Sequence, residues 1–463
     1  MMGSRIWMIN DTQALRAILK DENAGPEVPF PTFKALMGEE TLLRSHPNGA
    51  HPNFRKVFLA AVGPQALSAM APRVVAAVNA HLPSWERAGK FPLFRAARLL
   101  GVDMAVDVIM QIQLPPGVDR DDFKRQVETF FDGIYSLPIA LPGTDFSRAL
   151  AAKTWLLEVL QHGVRELHTE FIKQWDAVGQ DIPAYAAKVL EHAAAATAEQ
   201  APAGAAASSP SSLALTPSIH LSQLLVRAAF KRFGLQDAAL GILHMLVGSG
   251  DTTRFGLFNS WALIAMSPRV QDKIFEEQQQ VVAQHGPGLT HEASLDMRYL
   301  EATLKECMRI LPASAGGIRR LAEDVRVGGG YVIPKGETVW YHAGLLHCTD
   351  PALWDGRTDC ELPPHMDWRH NFEEAFCPER WLGGEEAGRP RSYYNFGAGA
   401  HMCAGMNVVY MELKLLLAMV LRKYRIRLEC PDMLARCGRL FPYLMPEKGT
   451  DNVILEPREA PDS

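Results

Sequence analysis

Between Phe396 and Gly405 the chain reads Phe-Gly-Ala-Gly-Ala-His-Met-Cys-Ala-Gly, three glycines around a single cysteine, and an apolar helical stretch from Gly405 to Leu421 follows at once. Glycine has no Cβ, so backbone can close in on the Cys403 sulfur and aim N–H groups at it. A helix starting just after the cysteine sets the positive end of its dipole beside that sulfur and favours the thiolate. The pattern is that of a thiolate ligand. An inert buried thiol is the other reading of a lone cysteine, and the surrounding string weighs against it. Gly397-Ala398-Gly399 also opens a dinucleotide fingerprint, but its third glycine is due at Met402 and no clear strand precedes it.

The rest of the chain predicts helices. Apolar periodicity covers most of Pro64 to Trp85, Asp119 to Tyr135, Phe146 to Val178, Leu221 to Phe233, Ala238 to Met266 and Val270 to His285, with a shorter helix at 53–61. Near the start, a β-like run from Arg5 to Ile9 leads through the capping residues Asn10-Asp11-Thr12 into Ala14 to Leu19. Short β-like pieces appear at Val325 to Val327, Gly330 to Pro334 and Thr338 to Tyr341. With 463 residues, 48% of them apolar but only 8% aromatic, a large core favours helices over a sandwich or barrel. The expectation is a mainly α chain with small β-sheets, one large helical domain over 1–463. Within it, Ala193 to Pro217 is nearly all Ala, Ser and Pro. It cannot bury enough surface to offset its ordering entropy, so a disordered insertion is expected, with a short Ala-rich helix as the alternative.

The formal net charge of -5, with basic residues spread along the chain, gives no basic face for nucleic acid. All seven cysteines fall between Cys307 and Cys437 with no C-x-x-C pair, which argues for a reducing intracellular compartment and against disulfides or structural zinc. No stretch reaches the roughly 18 apolar residues of a membrane span, and Met1 to Asn10 lacks the features of a signal peptide.

Two further strings carry chemistry. Glu306 and Arg309 stand at i, i+3, which puts carboxylate and guanidinium on one helix face, although most such pairs are solvated. Gly248-Ser249-Gly250-Asp251-Thr252-Thr253 interrupts the long apolar run with residues that weaken a helix. Such a weak point marks a distortion where a ligand approaches, or else a helix cap at Asp251-Thr252.

Together these strings resemble the cytochrome P-450 superfamily of heme-thiolate monooxygenases. Phe396, Gly399, Cys403 and Gly405 match its F-x-x-G-x-x-x-C-x-G heme loop. Glu306-Cys307-Met308-Arg309 matches E-x-x-R, and Pro378-Glu379-Arg380-Trp381 holds the second arginine of its structural network. Residues 248–253 match [AG]-G-x-[DE]-T-T, with Ser249 in place of the second glycine. The resemblance implies heme b (iron protoporphyrin IX) bound through Cys403 as metal ligand, with Arg55 and His51 of the His51-Pro52-Asn53-Phe54-Arg55 string, Arg319 and His401 at the propionates. It implies proton handling by Asp251 and Thr252 on the oxygen-binding side, and a non-catalytic network of Glu306, Arg309 and Arg380. His401 stands where most members carry arginine. Gly330 to Gly336 and His347-Cys348-Thr349-Asp350-Pro351 match the family's late β region.

The implied reaction inserts one atom of molecular oxygen into an apolar small molecule, with electrons from a separate reductase or ferredoxin. Gly-Gly-Ile-Arg and Ile-Pro-Lys-Gly look most like the branch that oxidises sterols, retinoids and terpenoids. A heme-thiolate isomerase or dehydratase is the first rival, opposed by the Asp251-Thr252 pair; a non-catalytic heme-binding protein is the second. The resemblance runs from about Arg5 to Pro457, so the family's anchor or leader, hinge and first strand are missing, and an N-terminally truncated chain is expected. Attachment to the endoplasmic reticulum or a plastid membrane would need an anchor that this sequence lacks. The stretch Trp354 to Phe376 is longer than usual.

Overall fold

The structure, a computed structural model, describes residues 5–9, 11–21, 23–27, 31–38, 59, 62–110, 112, 114–177, 239–349, 367–383, 393–440 and 443–458. The expected insertion at 193–217, the helix at 221–233, all of 53–61 except Leu59, and residues 354–366 lie outside them.

Helices dominate. In chain order they are α1 Thr12–Lys20, α2 Pro31–Met37, α3 Pro64–Ala88, α4 Leu93–Asp103, α5 Arg120–Ile134, α6 Asp145–Ala177, α7 Thr252–Ala265, α8 Pro268–His285, α9 His291–Leu295, α10 Arg298–Ile310, α11 Ala343–Thr349, α12 Phe372–Ala375 and α13 Met406–Leu421. The strands are short: β1 Ile6–Ile9, β2 Lys90–Pro92, β3 Gly316–Arg320, β4 Val325–Arg326, β5 Val332–Ile333, β6 Thr338–His342, β7 Tyr424–Leu428, β8 Gly438–Leu440, β9 Tyr443–Met445 and β10 Asn452–Pro457. This is the mainly helical architecture with small sheets that the sequence predicts.

Local chemistry sets the boundaries. Asp11 caps α1 by accepting the N–H groups of Gln13 and Ala14, and Asp119 caps α5 by accepting that of Asp122. Ser267 caps α8, with Pro268 pre-set in its first turn. In α7 every residue from Thr253 to Ala265 is buried, as befits a helix with almost no polar face. Just before α7 the helix widens into a π-turn, Val247–Asp251, at the glycine-rich interruption.

The residues group into two compact units. The first comprises 1–4, 25–77 and 99–251; the second comprises 5–24, 78–98 and 252–463. In the first, α5 packs on α6 with Phe123, Val127, Phe130 and Phe131 turned inward. Asp107, in a π-helical segment Met104–Ile109, takes charge-assisted bonds from Arg120 Nε and Lys124 Nζ, both at 2.7 Å. In the second, β6 lies between β1 (parallel) and β3 (antiparallel), and β10 lies between β2 and β7. Ile9, Val339 and Tyr341 of the first sheet pack with Leu15, Ile18 and Leu19 of α1 and with Tyr394.

One expectation is corrected. His347 to Thr349, matched by sequence to a β region, close helix α11. His342 Nδ1 accepts the Leu345 N–H, so a histidine does the capping that makes a helix out of this short apolar run.

Gly133 gives a test of the α5–α6 packing, because a Cβ there would stand 2.0 Å from the Ala149 Cβ. Helix propensity alone favours alanine over glycine by about 1 kcal/mol, whereas overpacking costs about 1–3 kcal/mol. Gly133→Ala should therefore lower the unfolding midpoint in denaturant; a midpoint raised above wild type would show that the helices are not in this contact.

Candidate active site

The cysteine loop is shaped by glycine. Gly397 and Gly399 lie in the left-handed region, at φ +70° and +69°. At Gly399 a Cβ would stand 2.0 Å from the Leu19 carbonyl oxygen of α1, so the loop and α1 meet only because no side chain intervenes. The Cys403 N–H donates to the Phe396 carbonyl at 2.7 Å and closes the loop on itself. Gly405 is the N-cap of α13, and a Cβ there would lie 3.9 Å from Cys403 Sγ. Phe396 packs on Tyr410 of α13 with ring centroids 5.6 Å apart. Cys403 itself is exposed, forms no disulfide and sits just ahead of a 16-residue helix.

Beside the loop, Arg319 and Tyr341 share one face of the first sheet, because Arg319 pairs with Val339 and Tyr341 with Gly317. Arg319 is 6% exposed, and its Nη1 donates to the Ile318 carbonyl at 3.0 Å. It has no carboxylate partner among the described residues, and burial lowers its pKa. The Tyr341 hydroxyl lies close to both strand and loop: a Cβ would come within 2.8 Å of it at Gly317 and 3.3 Å at Gly397. Burial raises the Tyr341 pKa, with Arg319 opposing. His401 is half-buried in the short 3-10 turn Gly399–His401. His51 and Arg55 lie outside the described residues.

Glu306, Arg309 and Arg380 come together as one network. Arg309 grips Glu306 with Nε at 2.9 Å and Nη2 at 2.7 Å, and Arg380 Nε adds 3.0 Å. The Cys377 N–H and the Trp381 indole N–H complete the set at 3.1 and 2.8 Å. Glu306 and Arg309 are both 0% exposed. Burial pushes the Glu306 carboxyl up, but the charge and hydrogen bonds of Arg309, then Arg380, overcome this and hold it below its usual value. Trp381 packs edge-on against Tyr393, and the Tyr394 N–H donates to His347 Nε2 at 3.0 Å. The network thus abuts the segment that leads into the cysteine loop. The sequence paired the two arginines with Glu306; Trp381 was in view in the same motif, but its indole bond left no separate signal.

The π-turn Val247–Asp251 is the distortion expected at 248–253. Ser249 Oγ donates back to the Met245 carbonyl at 2.7 Å. Asp251 is 1% exposed, and its Oδ2 accepts from the Tyr135 hydroxyl at 2.5 Å. Thr252 opens α7 and is half-exposed, while Thr253 is buried. Sequence reasoning missed both Tyr135 and Tyr341, because neither stands in a motif.

The cytochrome P-450 family model matches residues 1–357 and 370–442. The chain belongs to the cytochrome P-450 family. Members are heme-binding monooxygenases, and this chain is a heme-thiolate oxidoreductase of that class. Ent-kaurenoic acid oxidase 2 of Arabidopsis thaliana is 25% identical over 94% of this chain and 78% of its own length. Beta-amyrin 28-monooxygenase of Vitis vinifera is 23% identical over 75% of this chain and 61% of its own. The solved structure of retinoic acid bound cyanobacterial CYP120A1 superposes with a TM-score of 0.70 at 22% identity, covering 97% of this chain and 89% of that one. Among the described residues no helix is long and apolar enough to cross a membrane.

The donor chemistry fits the P-450 cofactor. An exposed thiol ahead of a helix N-terminus suits iron. A buried guanidinium without an acid is costly unless an anion meets it, and a propionate is such an anion. Glu306→Gln keeps the shape but removes the charge that two guanidiniums face, and breaking a buried pair costs about 3–5 kcal/mol. Urea unfolding should show that loss, with heme content falling in parallel. Because the folded-state pKa is depressed, the wild-type contribution is present above the ordinary carboxylate value and fades as pH drops below it; a variant as stable as wild type at neutral pH would contradict this.

Proposed function

We propose that this P-450 binds heme b through Cys403 and oxygenates an apolar small molecule of the sterol, retinoid or terpenoid type. The carrying observation is the exposed Cys403 in a glycine-shaped loop, beside a sheet that holds Arg319 buried with no acidic partner among the described residues. The cofactor, when bound, supplies dioxygen activation, which a thiolate ligand promotes by donating electron density.

The chain's residues do the rest. Phe396, Gly399 and Gly405 shape the loop that presents the Cys403 sulfur. Arg319, together with Arg55, His51 and His401, binds the propionates and fixes the cofactor's orientation. Glu306, Arg309 and Arg380 hold the segment leading into the loop. The Asp251 carboxylate takes up a proton, and the Thr252 Oγ1 positions it where oxygen reduction needs it. Ser249 donates its hydroxyl back into its own helix, to the Met245 carbonyl, and the π-turn is kept.

Electrons come from a separate reductase or ferredoxin. Cys307, Cys377, Cys403, Cys430 and Cys437 are free thiols, and the unpaired spacing of the cysteines in the sequence supports an intracellular, reducing setting. Ent-kaurenoic acid, beta-amyrin and retinoic acid in the names of the similar proteins support the apolar substrate class.

Thr252 provides the test. Thr252→Ala should bind heme and consume reductant, but release much of the flow as hydrogen peroxide rather than product. Thr253 is the control, since one residue along a helix turns the side chain by about 100°. Product and peroxide per reductant, measured with a surrogate reductase, should shift only in Thr252→Ala. Equal coupling in all three proteins would remove Thr252 from the proton route, and turnover of peroxide substrates without reductant would point to an isomerase.

A further inference from the structure

A proton-handling acid needs a route to water, and Asp251 is only 1% exposed. The structure supplies a neighbour that has one. The π-turn carrying Asp251 is backed by α5, where a Cβ at Gly250 would come within 3.1 Å of the Phe131 ring. Four residues on, at the C-cap of α5, Tyr135 donates its hydroxyl to Asp251 Oδ2 at 2.5 Å. Positions four apart share a helix face, so one face of α5 both packs against the π-turn and hydrogen-bonds its acid. Tyr135 is half-exposed, and Ser136 and Leu137 beyond it run out to the surface. The phenol therefore bridges a buried carboxylate and a wetter position on the chain.

We infer that Tyr135 is a positioning residue for the Asp251–Thr252 pair: its hydroxyl fixes the orientation of the Asp251 carboxylate and links that carboxylate to water. The inference rests on the proton role proposed above. When Asp251 passes its proton toward Thr252, the freed carboxylate takes the phenolic proton at Oδ2. The phenol oxygen takes a replacement from solvent in the same movement. One proton enters, one leaves, and Tyr135 ends neutral and unoxidised. The hydrogen bond also holds the π-turn, since it ties Asp251 to a helix outside its own backbone ladder.

Tyr135→Phe keeps the ring and removes the donor. In the holoenzyme it should leave the thiolate spectrum and substrate affinity unchanged. Product per reductant should fall about tenfold, the scale of one lost hydrogen bond to a charged group. The solvent deuterium isotope effect on product formation should rise, and amides of 247–251 should exchange faster by mass spectrometry. Tyr135→His, which returns a donor, should restore part of the coupling. Wild-type coupling and isotope effect in Tyr135→Phe would overturn the inference. If Tyr135→Phe loses heme, Tyr135→His decides: recovered fold with no recovered coupling reduces Tyr135 to a packing residue and overturns it. Thr252→Ala run in parallel separates the two levels. If it leaves coupling intact while Tyr135→Phe still speeds exchange at 247–251, the tether stands and it is the underlying proton role that fails.

Discussion

Glu306 is a carboxylate with no exposure to water, and such a charge is tolerable only where every lone pair is met. Two arginines, a backbone N–H and an indole N–H meet it. These donors come from α10 and from residues 377–381, so satisfying one side chain fixes two stretches of chain against each other. Trp381 passes that constraint to Tyr393, next to the start of the cysteine loop. On its other side the loop is pinned where Gly399 meets the Leu19 carbonyl. Glu412 on α13 is the counter-case. It is as deeply buried, its oxygens find no hydrogen-bond partner among the described residues, and burial pushes its pKa up to about 8. A carboxyl without donors stays protonated at neutral pH; one with five donors stays charged. The protein uses the charged one to organise the loop.

A second constraint lies at the glycine-rich interruption before α7. An apolar helix that is buried all round has little reason to deviate from regular geometry. Gly248, Ser249 and Gly250 remove side-chain support and add a competing hydroxyl, and the backbone relaxes into a π-turn at that place. Gly250 lets α5 approach closely, and the approach brings Tyr135 to Asp251. The same distortion that weakens the helix therefore orients its acid.

Much of this was legible in the sequence. The helices α3, α5 to α8 and α13 announce themselves by apolar periodicity, α1 by its capping residues, and α10 by the Glu306–Arg309 spacing. The π-turn was readable as a cluster of poor helix formers in an apolar run. The family motifs tied Arg380 to Glu306 across 74 residues, which no local rule could do. What stayed hidden were contacts that depend on tertiary placement alone. Tyr135 lies 116 residues from Asp251 and belongs to no motif. Tyr341 reads as one more aromatic in a strand until its register opposite Gly317 places the hydroxyl beside the loop. His347 to Thr349 were matched to a β region by family resemblance, and the helix they close is capped by His342, a side chain outside the usual capping residues.

The central claim is that the Cys403 sulfur holds the heme iron, and ligation by sulfur has its own optical signature. The direct measurement is the absorption spectrum of the reduced, carbon-monoxide-bound protein for wild type and for Cys403→His. The account predicts the strongly red-shifted Soret band of thiolate ligation in wild type and its loss in Cys403→His, with heme still bound to the variant. A wild type without that band, or a Cys403→His protein that keeps it, would contradict the account.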